Sequence, residues 1–281
     1  MVVIAMMMTI SASAQFYIYC SDGNVIKVDS ISMVSLTSSA GIGAFSVSAD
    51  KQVTFSKGNL QYTQSTNTWS FAENQYDYLG EANIAIDADV LADKIDLFGW
   101  STSTTNFGVS TSTSNSDYSG SFVDWGTNKI GNDAPNTWRT LSYDEWEYLL
   151  NNRPNASSLC GVAQVNDVNG LILLPDNWVC PSGVTFKSGF HSEYRAKAYG
   201  QYQTFSAAQW SKLESAGAVF LPAAGDRSGA VVDYVQFSGY YWSARGGNGG
   251  NAYYLAFYSD NAYMIDGNRY YGRSVRLVRD L

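Results

Sequence analysis

Apolar and polar residues alternate in short runs along most of this chain, and Gly, Asn, Asp or Ser interrupts the runs every few positions. That is the pattern of many short strands joined by turns. Phe16-Tyr17-Ile18-Tyr19 and Val25-Ile26-Lys27-Val28 flank an Asp22-Gly23 turn, which predicts a β-hairpin within residues 15–38. Residues 39–44 are mostly Gly, Ala and Ser and predict a linker. The main domain is expected over 45–281. Its first strands are predicted at Val47–Ala49, Gln52–Ser56, Leu60–Tyr62 and Thr68–Phe71, with one short helix over Asp87–Asp96. Ser101–Ser121 is a Ser/Thr/Asn/Gly-rich loop, long enough to suggest function or disorder.

Two helices carry start signals. Ser142-Tyr143-Asp144-Glu145 and Ser206-Ala207-Ala208-Gln209 are capping boxes, each followed by apolar residues at helical spacing. Between and after them, Gly170–Pro175 and Ala218–Pro222 are fully apolar and predict buried strands. No βαβ alternation and no fixed-period repeat is present, so the expected class is α+β: two short helices, several short antiparallel strands and long loops.

The last forty residues differ in composition. From Ser238 to Arg279, Tyr alternates with Gly, Asn, Asp and Ser. Strands are predicted at Tyr253–Ser259 and Ser274–Val278, with core sides at Leu255/Phe257 and Val275/Leu277. Tyr, Asn, Asp and Arg occupy the other phase and the loops. Such a surface suits ligand binding, because Tyr gives large contact area at low entropic cost and Asn and Ser give adaptable hydrogen bonds.

Composition narrows the function classes. With 281 residues and a formal net charge of −8, a phosphate-backbone binder is disfavoured. The C-terminal arginines Arg245, Arg269, Arg273, Arg276 and Arg279 read as strand-edge charges and local ion pairs. Residues 1–14 are apolar and end in Ser11-Ala12-Ser13-Ala14, a leader and cleavage pattern, so export to the surface or medium is expected. No stretch reaches membrane-spanning length. In an oxidising compartment Cys160 and Cys180 could pair, leaving Cys20 over. No phosphate loop, nucleophile elbow or HExxH motif occurs, and no cofactor is expected. Calcium is the one ion for which turns such as Asp176-Asn177, or Asp260, Asn261 and Asp266, offer oxygen atoms, though without a binding motif.

Several segments together resemble a known group. Asp96-Leu97-Phe98-Gly99-Trp100, Trp138-Arg139-Thr140-Leu141, Leu173-Leu174-Pro175-Asp176-Asn177-Trp178, Phe220-Leu221-Pro222-Ala223-Ala224-Gly225, Gly239-Tyr240-Tyr241-Trp242-Ser243 and Gly272-Arg273-Ser274-Val275-Arg276-Leu277-Val278 carry it. They are similar to bacterial C-type-lectin-like domains of the formylglycine-generating-enzyme (sulfatase-modifying factor) fold type, including the Fibrobacter succinogenes major paralogous domain. Within that group the 238–272 region resembles variable proteins of diversity-generating retroelements. The resemblance implies a fixed frame of Gly239, Trp242, Ser243, Leu255, Phe257, Gly272, Ser274, Val275 and Leu277. It implies a displayed, ligand-binding set of Tyr240, Arg245, Asn248, Asn251, Tyr253, Ala256, Tyr258, Asp260, Asn261, Tyr263, Asp266, Asn268 and Tyr270. The expected partner is a protein or glycan on another cell or phage. The enzyme branch of the fold uses a cysteine pair that binds copper, and this chain has no cysteine after Cys180, so no catalytic residue is expected. A structural or adhesin module of a surface fibre is the remaining alternative.

Overall fold

The computed structural model describes residues 16–19, 25–28, 43–87 and 93–281, with backbone alone for 16–19, 25–28 and 84–87. The expected leader at 1–14, Cys20, and most of the expected linker lie outside these residues. The chain divides into two compact units, residues 1–39 and 40–281. In the first, β1 (Phe16–Tyr19) pairs antiparallel with β2 (Val25–Val28), Tyr19 opposite Val25.

The second unit is a mixed α+β structure with few helical residues and mostly antiparallel strands. It begins with β3 (Phe45–Ser46), β4 (Gln52–Phe55), β5 (Leu60–Thr63), β6 (Thr68–Phe71) and β7 (Lys94–Ile95). Residues Val47–Ala49, expected as a strand, form a bend between β3 and β4. Residues 88–92 of the helix expected over Asp87–Asp96 lie outside the described residues; Asp87 ends a 3-10 turn over Gly80–Asp87, Lys94 and Ile95 form β7, and Asp96 is buried. Asn83 joins the two described parts. Its amide donates to the Asp96 carboxylate at 2.8 Å and its carbonyl accepts from the Asp96 and Leu97 amides, so it ties the turn to the strand.

β8 (Arg139–Thr140) leads into α1 (Tyr143–Glu147), which continues as a π turn over Tyr148–Asn152. The Ser142/Glu145 capping box is present. Glu145 also holds Arg139 bidentately, at 2.8 Å for both bonds. β9 (Cys160–Val165) and β10 (Val168–Leu173) form a hairpin whose two turn residues, Asn166 and Asp167, both have positive φ. That is the backbone of a type I′ turn, a signal present in the sequence as Asn-Asp between apolar runs. Then come α2 (Ala198–Tyr202), β11 (Thr204–Phe205) and α3 (Ala207–Ser215), the last capped by Ser206 and Gln209. α2 is a third helix that carries no cap signal.

The chain closes through β12 (Val219–Pro222), β13 (Asp226–Ser228), β14 (Val231–Asp233), β15 (Gly239–Gly246), β16 (Asn251–Phe257), β17 (Ala262–Asn268) and β18 (Leu277–Asp280). β18 pairs with both β4 and β8, so the two ends of the unit share one sheet.

Alternate faces of the strands feed different cores, which stacks the unit in layers. α3 covers Ala163, Val165, Ile172 and Phe220 with Trp210 and Leu213. The opposite face of that β11-β9-β10-β12 sheet presents Val162, Leu171 and Leu221 to a second core, shared with Trp146, Tyr241, Leu255 and Phe257. The other face of the β15-β16-β17 sheet presents Tyr240, Trp242, Ala252, Tyr254 and Ala256 to a third core, completed by Leu60, Trp69, Phe98, Trp100 and Trp125. β15 and β16 are therefore buried on both faces.

Cys160 and Cys180 are free thiols, so the expected pairing is not formed. Cys160 points into the core with Val162 and Leu171. Cys180 is exposed and its thiol donates to the Val184 carbonyl. Among the described residues no helix is long and apolar enough to cross a membrane.

Candidate ligand-binding surface

The C-terminal sheet is fastened first by its apolar frame. Gly239, Trp242, Ser243, Leu255, Phe257, Gly272, Ser274, Val275 and Leu277 are all buried. A Cβ on Gly239 would run into the Phe257 ring, so the frame needs glycine there. The Trp242 indole donates to the Phe98 carbonyl at 2.6 Å. The Tyr241 hydroxyl, fully enclosed, donates to the Pro222 carbonyl at 2.9 Å. The Ser274 backbone bridges β15 through Tyr240 and Trp242. That covers one edge of the sheet, whereas among the described residues β17 has β16 as its sole sheet neighbour.

Of the thirteen positions expected on display, Tyr240 and Ala256 are buried and belong to the third core. Strand alternation places them opposite Leu255 and Phe257, but that side of the sheet is covered as well. The other eleven keep some exposure. They do not form one face. Antiparallel register puts Tyr253 opposite Asp266 and Asn251 opposite Asn268, on the side of Leu255. Ala256 lies opposite Tyr263, on the reverse side. Tyr253 thus shares its phase with core residue Leu255 and is reached only because the sheet there extends past the core.

The first group is polar. Arg245 lies over the rings of Tyr143 and Tyr253, 5.1 and 5.4 Å from their centres, and pairs with Asp144 at 3.3 Å. Asn251 donates to Asp266 at 3.0 Å. Asn115, from the long Ser/Thr-rich loop, donates to Asn268 at 2.9 Å. That loop packs against the sheet through buried Phe107 and Tyr118. Asn248 stands exposed at the β15–β16 turn.

The second group is aromatic. Phe237, Tyr194, Tyr258 and Tyr263 make successive ring contacts at 4.7, 5.0 and 6.0 Å. Tyr258 also meets buried Tyr240, which meets Tyr254. Tyr194, Tyr234, Tyr263 and Ile265 are 49%, 55%, 36% and 39% exposed, high values for large apolar side chains. Asp260 and Asn261 border the group at the β16–β17 turn, and Tyr270 stacks on Tyr271 at 4.7 Å. Burial, together with the hydroxyls of Tyr240 and Tyr263, pushes the Tyr258 phenol far up. The Tyr258 phenol therefore stays neutral at physiological pH. Tyr194, Tyr234 and Phe237 carried no sequence signal, since they come from loops remote from β16 and β17.

Beneath this patch lies Arg273, 3% exposed, contrary to the strand-edge role expected for it. Its guanidinium carbon is 3.5 Å from the Tyr254 ring centre, 4.4 Å from that of Trp242 and 5.1 Å from that of Tyr271. Its Nε and Nη1 have no hydrogen-bond partner. Asp226 is the acidic group in its field, yet no ion pair closes between them. Burial pushes the Asp226 carboxyl up to about 6 against the pull of Arg273, and Asp233, opposite it in the β13–β14 pair, raises it further. Arg276 is buried too, bonded to Phe220 and Ser56 carbonyls, and Arg269 lies over Trp100 at 4.3 Å. Among the described residues, Arg245 is the one of the five C-terminal arginines that makes an ion pair.

Of the carboxylates weighed for calcium, Asp176 and Asp266 have partners within the chain, while Asp260 Oδ1 has none. Asp176 accepts from Ser46, Gln52 and Arg153. Asp266 is engaged by Asn251. A separate cavity of about 570 Å³ lies away from the C-terminal sheet, lined by Phe55, Phe71, Ile130 and Trp138 with Asp133, Glu214 and Arg279 at its rim. No family model, curated protein or solved structure matches the chain.

Proposed function

We propose that this chain is a secreted or surface-displayed binding protein of C-type-lectin-like fold, and that it captures a protein or glycan ligand without catalysis. The aromatic group around Tyr194, Tyr258 and Tyr263 is the contact surface, with the polar group around Arg245 and Tyr253 as its second, separable part. The observation that carries the reading is the interlocked run of Phe237, Tyr194, Tyr258 and Tyr263, with Tyr194 and Tyr263 exposed and the other two half-buried, on a sheet whose apolar frame is wholly buried. Rigid aromatic anchors on a fixed support lose little entropy on binding. The separation between buried frame and accessible Tyr/Asn positions also favours diversification by a retroelement, because those positions can change without disturbing the frame.

Capture from a glycan array and a panel of bacterial cells tests the reading. Tyr194→Ala with Tyr263→Ala should abolish capture while the melting temperature is retained. Arg245→Ala with Asn248→Ala should weaken it less. Capture that survives both pairs overturns the assignment of the surface. Sequencing the locus in sister isolates tests diversification: changes confined to frame positions would exclude it.

A further inference from the structure

Two Asn-Gly pairs lie among the described residues, Asn169-Gly170 and Asn248-Gly249. The dipeptide is chemically labile, because a glycine has no Cβ to keep its backbone nitrogen from the asparagine side-chain carbonyl. The attack needs a side chain and a peptide plane that are both free to turn. Asn169-Gly170 has neither freedom. Asn169 is buried; its Nδ2 donates to the Ala196 and Gln236 carbonyls at 2.9 and 2.8 Å, and its Oδ1 accepts from Gln164. Gly170 lies in an inner strand, between Ala163 of β9 and Pro222 of β12. A Cβ on it would stand 2.4 Å from both the Leu221 carbonyl oxygen and the Phe220 ring.

Asn248-Gly249 is held in the opposite way. Both residues are exposed in the turn that joins β15 to β16. The Asn251 amide closes the turn on the Asn248 carbonyl at 3.1 Å, and Gly249 and Gly250 take its central places at φ +63° and +86°. Among the described residues, neither the Asn248 side chain nor the Gly249 N–H has a hydrogen-bond partner. A Cβ on Gly249 would have nothing within 4 Å.

We infer that Asn248 is a self-modifying position, where the folded protein deamidates itself with water as the co-reactant. The Gly249 backbone nitrogen gives up its proton and bonds to Asn248 Cγ. The Cγ–Nδ2 bond breaks, ammonia leaves with that proton, and a succinimide ring closes. Water then opens the ring. Cleavage between the Gly249 nitrogen and Cγ leaves aspartate at position 248. Cleavage between that nitrogen and the Asn248 backbone carbonyl carbon leaves isoaspartate, with the chain running through the former side chain. Either product replaces a neutral amide by a carboxylate. Asp266 already borders the turn, its Oδ2 3.2 Å from where a Cβ on Gly247 would stand, so the new charge joins an existing one. The polar group of the C-terminal sheet thus grows more acidic as the protein ages. The chemistry requires no ligand and stands apart from the binding role proposed above.

Peptide mapping by mass spectrometry tests this on the folded full chain, aged in neutral and in mildly alkaline buffer. The peptide holding Asn248 should convert to a mixture of aspartate and isoaspartate, faster in the alkaline buffer because the attacking nitrogen must lose its proton. Asn169 should convert at least about 10-fold more slowly, since it reacts only when its strands open. In urea-unfolded protein the two positions should convert at similar rates, which shows that the fold and not the dipeptide makes the difference. Gly249→Ala should slow conversion at Asn248 several-fold, and a matching melting temperature confirms that this variant is folded. An unchanged Asn248 in the aged native protein overturns the inference, as does equal conversion of Asn169 there. Aspartate formed without isoaspartate overturns the succinimide route.

Discussion

Arg273 and Tyr254 form a cation–π pair at 3.5 Å inside the protein, and two guanidinium nitrogens of that arginine stay without an acceptor. Ring faces compensate part of the lost hydration; nothing compensates the in-plane donors. Arg273→Met keeps an unbranched, flexible side chain, shorter than arginine, and removes the unpaired charge. It should leave stability within about 1 kcal/mol of the parent, since apolar replacement of a buried charge is often neutral or favourable. Urea denaturation measures this, and a loss above about 3 kcal/mol would mean that the rings depend on the cation.

Asp226 should make stability depend on pH. Its folded value of about 6 lies above its ordinary 3.8, so the folded state binds the proton more tightly. Stability from this group is full below about 4 and is lost as pH rises through about 6, by up to about 3 kcal/mol. Asp226→Asn should be more stable than the parent at pH 7 and about equal at pH 4. Buried Asp96, also pushed up to about 6 by desolvation, acts in the same window, so the difference between the two proteins is the quantity to follow. A difference that does not vary with pH would contradict the assignment.

Asp176 should matter far more than a surface aspartate. Its partner Arg153 has a fully buried side chain, 3.0 Å away. Asp176→Ala strands that charge and removes the acceptor for Ser46 and Gln52, at a cost of about 3–5 kcal/mol in chemical denaturation.

Frame and display positions should separate by stability. Leu255→Ala empties a fully buried site and should cost about 2–5 kcal/mol. Asn261→Ala, exposed in a turn, should stay within about 0.5 kcal/mol. Comparable melting temperatures for the two variants would refute the division.

The cysteines give a direct chemical readout. Mass-spectrometric mapping after brief alkylation of the native protein should find Cys180 modified and Cys160 protected, because burial pushes the Cys160 thiol up and hides it. Prompt modification of Cys160 would show that the core around Val162 opens readily.

What could be read from the chain alone followed from local physics. Ser142 and Ser206 announce helix starts because capping is settled within four residues. The apolar run at Leu171–Leu173 and the frame at Leu255 and Phe257 announce buried strands because alternation and hydrophobicity are local properties. The Asn166-Asp167 turn carries a local signal too, in two residues that tolerate positive φ, but it was not among the turns expected. Tertiary structure decided the rest. Alternation shows that Ala256 and Leu255 face opposite ways, but only the layer built from Leu60, Trp69 and Trp100 buries both faces. Tyr240 and Ala256 therefore leave the surface, and Arg273 goes beneath four rings instead of lying at an edge. Tyr194 and Tyr234 join the patch through loop packing across long sequence separations. Local sequence sets what a strand can pair with; burial depends on what the rest of the chain stacks against each side.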